Sequence, residues 1–282
     1  MVMRTIAEIA AKSLSKMLTR DFRELFGSRH DDMAERLSAL ARSTVECLAR
    51  SDALYHNLEH TILVTMVGRD ILRGRMMCER VEATDYDHLI VACLLHDIGY
   101  VRGVLKDDSE TEFVVDHNGG RVALPRGSSD ASLAPYHVER STLFVRERLG
   151  NSPTVNADRV VRAIEFTRFP VPARGDDAGD REPRLVQAAD LIGQLGDPLY
   201  PRKANALFFE FEEIGANRQL GYSSPADLIE KYPAFFWNSV ASHLGEATSY
   251  LNLTARGRQW IANLHHHVMC AEHAFRMMGP QR

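Results

Sequence analysis

Apolar residues recur at three- and four-residue intervals along most of the chain, and convincing two-residue alternation is confined to one short stretch. This pattern predicts an all-α protein with helices over residues 4–26, 31–50, 57–73, 84–98, 136–149, 156–168, 183–195, 201–215, 225–245 and 254–278. Gly150, Gly215 and Gly279 stand where a left-handed residue would end a helix, and Pro183, Pro201 and Pro225 suit first turns, which need no backbone donor. Ser224 and Asp227 have the spacing of a capping pair.

Two stretches depart from the helical period. Residues 99–134 read as an insertion in which short apolar runs flank "HNGG", and Asn118-Gly119 suits a tight turn, so a small β-hairpin is expected near 110–125. "FPVPARGDDAGDREP", 169–183, is rich in Pro, Gly and charge and reads as an exposed connection. The expected organisation is one helical domain over 1–282, its core at about 50–195, with N-terminal helices (1–50) and C-terminal helices (200–282) packed on it.

Composition narrows the function classes. A chain of 282 residues with 45% hydrophobic and 26% charged residues can bury a core without disulfide staples. A net charge of −4 provides no general attraction for a nucleic acid polymer or an anionic membrane, so a phosphorylated ligand must be held by local chemistry. Cys47, Cys78, Cys93 and Cys270 are scattered, and Cys47 and Cys93 fall in apolar helical patterns, which fits a reduced cytoplasm. The N-terminus lacks the unbroken apolar run of a signal peptide, and its basic amphipathic pattern reads as a docked helix in preference to a membrane-surface one.

The candidate chemistry lies in three places. His60, Val64, Val67 and Ile71 share one helix face, which puts His60 inward, while His56 sits at or before the helix start. A lone histidine there would usually be a hydrogen-bonded core residue. The stretch "HLIVACLLHDIGY", 88–100, is apolar enough to be buried on nearly all sides, yet it ends in His96-Asp97. Burying that pair costs several kcal/mol unless compensated. A divalent cation compensates both groups, because it takes neutral imidazole nitrogen and anionic carboxylate oxygen together. Asp190, set in the apolar helix "RLVQAADLIGQLGD", adds a second carboxylate, completing a set of two nitrogens and two oxygens from His60, His96, Asp97 and Asp190.

"YHNLEH", "LLHDIGY" and "AADLIGQ", in that order, resemble the H…HD…D signature of the HD-domain superfamily of metal-dependent phosphohydrolases. The resemblance covers about residues 50–195 and implies an all-α, HD-domain-like bundle. "YHNxxH" is also similar to the opening motif of class I cyclic-nucleotide phosphodiesterases, which implies His56 as proton donor and His60 as first metal ligand; "RKANALFFEFEE" resembles their Glu-Phe-rich helix. The chain departs from them at Tyr100, where they carry histidine, and has no counterpart of their purine-clamping glutamine. The implied cofactor is one divalent ion of Mn, Mg, Fe, Ni, Co or Zn, with His137, helped by His117 or Glu165, as the candidate for a second.

Other groups carry weaker expectations. Arg140 and Arg168 are candidate phosphate forks, set against the alternative of surface ion pairs. Lys106, Asp107, Asp108 and Glu110 read as a solvated charge run, and His265, His266, His267 and His273 as structural. Phe235, Phe236 and Trp237 read as core or a homodimer surface, Tyr55 and Tyr100 as pocket lining, and Asn57 as a helix-start residue. The expected activity is hydrolysis of a phosphoester, of a nucleotide or cyclic nucleotide, by metal-activated water with His56 as acid. The competing readings are a non-catalytic, metal-containing nucleotide sensor and a di-iron oxygenase of HD type.

Overall fold

The computed structural model describes residues 5–169 and 181–277, and among them the chain is mostly helical with one two-stranded hairpin. Helix α1 (Ile6–Phe26) opens on a Thr5/Glu8 capping box and packs against α2 (Asp31–Leu48). Helix α3 (Leu58–Arg75) is the central element, touching α2, α4 (Ala83–Leu95), α7 (Arg181–Leu195), α12 (Gly245–Leu251) and α13 (Ala255–Met277). As its apolar run requires, every α4 residue from Tyr86 to Leu95 is buried. Helices α5 (His137–Leu149) and α6 (Ala157–Glu165) pack on one side of this centre, and α8 (Tyr200–Glu213) follows α7.

Two glycines let helices approach closely enough to build a site. A Cβ on Gly193 of α7 would lie 2.9 Å from Val64 Cα, so the α7 backbone rests directly on α3 one turn beyond His60. Gly99 fits against the start of α5, where a Cβ would meet the His137 carbonyl oxygen at 2.0 Å. The first contact sets Asp190 beside His60, and the second sets His137 beside the His96-Asp97 corner.

The insertion contains the expected hairpin, β1 (Glu112–Val114) antiparallel to β2 (Arg121–Ala123), with Phe113 opposite Val122. Its turn is longer than a two-residue one. Asp116 Oδ1 accepts from the backbone N–H groups of Asn118 and Gly120, and Gly119 takes φ +79°. The insertion ends in a 3₁₀ turn, Asp130–Tyr136, which is tied to α8 where Ser129 and Ser132 donate to Glu213.

Three sequence expectations need correction. The single helix at 225–245 is divided into α10 (Pro225–Glu230), α11 (Tyr232–Phe235), a π-helical turn and a 3₁₀ turn, since Pro233 has no N–H to continue the ladder. Gly150 has φ −57°, an ordinary helical value, whereas Gly215 is left-handed as expected, ahead of the short α9 (Ala216–Leu220). Helix α4 stops at Leu95, earlier than 98, and Asp97 (φ −108°, ψ 7°) turns the chain into a 3₁₀ segment, Ile98–Tyr100. Gly279 and most of the 169–183 connection lie outside the described residues. Among the described residues no helix is long and apolar enough to cross a membrane.

Candidate metal centre

Four side chains from three elements meet at one point. His60 comes from the first turn of α3, His96 and Asp97 from the corner after α4, and Asp190 from the middle of α7. His60 Nε2 lies 3.3 Å from Asp97 Oδ2 and 3.2 Å from Asp190 Oδ1. His96 Nε2 lies 3.2 and 3.5 Å from the same two oxygens, and the two Nε2 atoms are 3.4 Å apart. Donor atoms about 2.1 Å from a shared ion stand about 3.4 Å apart in a tetrahedron. The donor atoms of His60, His96 and Asp97 have that mutual spacing and could hold an ion, while Asp190 approaches both imidazole nitrogens from outside that mutual group.

Hydrogen bonding around the cluster points the same way. His96 Nδ1 donates to the Cys93 carbonyl oxygen at 2.9 Å, which fixes the tautomer and leaves Nε2 with a lone pair toward the centre. Asp97 Oδ2 is buried and makes no hydrogen bond of acceptable geometry, although two imidazole nitrogens lie near it. A buried acceptor without a donor is the condition that a cation relieves. His60 Nδ1 is also buried and unpartnered, so the usual outer hydrogen bond of a ligand histidine is missing there.

Burial opposes an imidazolium at His60, but Asp190 and Asp97 outweigh it and raise the His60 pKa. The same contest, with Asp97 the main counterweight, holds His96 well above its ordinary value. Burial likewise opposes the carboxylates, yet His96 and His60 keep Asp97 well below, and Asp190 below, the usual range. The carboxylates thus draw protons onto the imidazoles, which a divalent ion would displace.

His56 has a separate arrangement. It precedes the N-cap Asn57, whose side chain accepts from Glu59 N–H, as expected of a helix-start residue. Glu210 of α8, 3% exposed, accepts from the backbone N–H groups of Tyr55 and His56 and lies 2.5 Å from His56 Nδ1. Burial pushes the Glu210 carboxyl up, but His56 and those N–H groups outweigh it, so the group is lowered and ionised. Nδ1–H is committed to Glu210, which leaves Nε2 to exchange a proton.

His137 stands on the far side of Asp97. Its Nε2 is 3.7 Å from Asp97 Oδ1, its Nδ1 is held by the Ala134 carbonyl at 2.5 Å, and burial lowers its pKa, favouring the neutral ring. Asp97 therefore turns one oxygen to the four-atom cluster and the other to His137. Tyr55 and Tyr100 line the site, both buried, with burial raising each phenol so that it stays protonated. The side chains of His56, Asp190 and His137 are 15–21% exposed, and these mark the open side.

Several expected site residues are elsewhere. Arg140 is fully buried and spends all five N–H donors on Gly99 O, Val101 O, Val114 O and both oxygens of Asp108, so it is no phosphate fork. Asp108 is correspondingly not solvated, whereas Lys106, Asp107 and Glu110 are exposed. Arg168 pairs with Glu139, and His117 contacts Thr142 and Glu139, well round α5 from His137. Glu165 ends α6, half-buried. Of the C-terminal histidines, His267 is buried against the Asp197 carbonyl oxygen, while His265, His266 and His273 are exposed. Phe236 is core and Trp237 is 53% exposed.

The sequence reading passed over Glu210, which sits on the face of α8 that also carries Leu207 and Ala204. An acid on an inward helix face was the signal that singled out Asp190, and it applied equally here.

Fold and site define an all-α protein with a buried pair of imidazoles, a pair of carboxylates and an adjoining His–Glu pair. The chain belongs to the Npun_R2479-like family, whose model matches residues 5–274. No curated protein and no solved structure matches it.

Proposed function

We propose that the protein is a metal-dependent phosphohydrolase of HD-domain type, cleaving a phosphoester of a nucleotide or similar small molecule. The observation that carries this reading is the approach of His60 Nε2 and His96 Nε2 to each other and to Asp97 Oδ2 and Asp190 Oδ1 at 3.2–3.5 Å, with a carboxylate-held histidine beside them. These four residues would hold the ion. When bound, it would lower the pKa of a water and polarise a phosphoryl oxygen.

The chain's own groups account for the rest. Glu210 orients His56 through Nδ1, so that Nε2 faces the departing oxygen as the candidate proton donor. Asp97, shared between the cluster and His137, gives a second ion a place if one is bound. The buried Tyr55 and Tyr100 limit water on the inner side.

The test is purification without chelator, metal analysis per chain, and assay of nucleoside monophosphates, cyclic mononucleotides, cyclic dinucleotides and generic phosphodiesters with Mn²⁺ or Mg²⁺. Metal retained with no phosphate ester cleaved across the panel would favour a non-catalytic sensor. A chain that takes up no metal would remove the proposal.

A further inference from the structure

A single ring separates His56 from His137. Tyr100, 3% exposed, stacks on the His56 imidazole at a centroid distance of 4.7 Å and an interplanar angle of 7°, and on the His137 imidazole at 4.6 Å and 28°. Each histidine is held at Nδ1, His56 by Glu210 and His137 by the Ala134 carbonyl, and His56 also meets Tyr55 and His60 edge-on at 5.1 and 5.4 Å, so that Tyr100 supplies the face-on contact to both rings. A hydrogen bond at Nδ1 restrains rotation about Cβ–Cγ only within the breadth of that bond. A flat neighbour on the ring face narrows the remaining tilt of the ring plane.

Tyr100 is itself fixed from behind. Arg140 donates through Nε to the Gly99 carbonyl at 2.7 Å and through Nη2 to the Val101 carbonyl at 3.0 Å, gripping the backbone on both sides of Tyr100. The same guanidinium binds Asp108 and the Val114 carbonyl, which belong to the insertion. Gly99 has no room for a side chain against α5, so this turn has one seat.

We propose that Tyr100 is a positioning residue, setting the ring planes of His56 and His137 through a three-ring stack, and that the Asp108–Arg140 clamp of the insertion holds it there. Its kinetic consequence rests on the phosphohydrolase reading, whereas its structural consequence does not. The part of the insertion from Asp108 to Val114 thereby has a task in the site although it supplies none of the four candidate ligands.

The test compares Tyr100→Phe with Tyr100→Leu, and adds Asp108→Asn as a variant that loosens the clamp while leaving the ring. In metal-free protein, NMR should find the His56 and His137 ring protons shifted upfield by the stacked ring, unchanged in Tyr100→Phe, lost in Tyr100→Leu and reduced in Asp108→Asn. With Mn²⁺ and bis(4-nitrophenyl) phosphate, Tyr100→Leu should lose about 10²-fold in kcat with KM and metal content little changed, and Tyr100→Phe should stay within about threefold of the parent. Should Tyr100→Leu not fold, the Asp108→Asn shifts decide. Ring shifts unmoved in Tyr100→Leu or in Asp108→Asn, kcat unmoved once the stack is lost, or Tyr100→Phe as damaging as Tyr100→Leu would each overturn the assignment. If the parent protein cleaves nothing, the phosphohydrolase reading falls and the ring shifts alone judge Tyr100.

Discussion

Helix α3 carries a buried polar cluster at each end, and the two solve the same electrostatic problem differently. Toward its C-terminus, Arg69 pairs with Asp21 and, at 2.9 Å, with Asp70, while Arg73 lies 3.1 Å from Asp21 and Trp260 Nε1–H donates to Asp70 at 3.0 Å. Two guanidiniums face two carboxylates, and arginine keeps its charge at any accessible pH. At its N-terminus, Asp97 and Asp190 face His60 and His96, whose charge exists only when protons are taken up. The first cluster is balanced in charge by its own side chains, although Asp21 Oδ1 and Arg73 Nε make no hydrogen bond. The second sets two carboxylates against two imidazoles that hold their charge only by taking up protons, which a divalent ion would displace.

The contrast is broken most directly at Asp97. Asp97→Ala should abolish both metal retention and turnover, measured by metal analysis and ester cleavage on the same preparation, because it removes a buried anionic candidate ligand that also faces His137. His56→Ala should retain the metal and lose about 10²–10⁴-fold in turnover, the usual worth of a placed proton donor. Full activity in a metal-loaded His56→Ala protein would sink that role. Asp21→Ala should do the reverse of Asp97→Ala. It strands Arg69 and costs about 3–5 kcal/mol, visible as a lower urea midpoint, while metal content per folded chain is unchanged. Loss of metal in Asp21→Ala would erase the distinction between the clusters.

How much of this was legible in the sequence differs by residue. The four candidate ligands were, because each is a polar group on or at the end of an otherwise apolar helix, and that mismatch survives folding: His60 is 4% and His96 0% exposed. Helix positions followed from the same periodicity, with ends displaced by a few residues. Arg140 was not legible. Arginine at a helix start looks alike whether it faces ligand or backbone, and only the fold of the insertion brings Asp108 and three carbonyls round it. The division of 225–245 hinged on Pro233, which the amphipathic pattern overrode. The stack through Tyr100 joins residues at 56, 100 and 137, and no local spacing encodes it.

A third charged group sharpens the scale of the comparison, since it is closer to the surface. Glu79 receives Arg75 at 2.6 Å, Arg181 at 2.8 Å and Tyr250 at 3.0 Å, joining the ends of α3, α7 and α12. Partial burial pushes its carboxyl up, but Arg75, Tyr250 and Arg181 outweigh it and lower the pKa from 4.5 to about 2. A lowered acid contributes stability that is fully present above its unfolded pKa and is lost as pH falls through the folded one. The contribution of Glu79 should therefore fade between about pH 4.5 and about 2. With a side chain 31% exposed it is screened by solvent, and its size should be under about 1 kcal/mol. Urea unfolding of Glu79→Gln against the parent should show a small deficit at pH 6 that narrows steadily toward pH 2. The buried carboxylates elsewhere are common to both proteins and cancel in that difference. A deficit that stays constant with pH would mean that Glu79 acts through shape and neutral hydrogen bonds, and that only the two clusters on α3 are organised by charge.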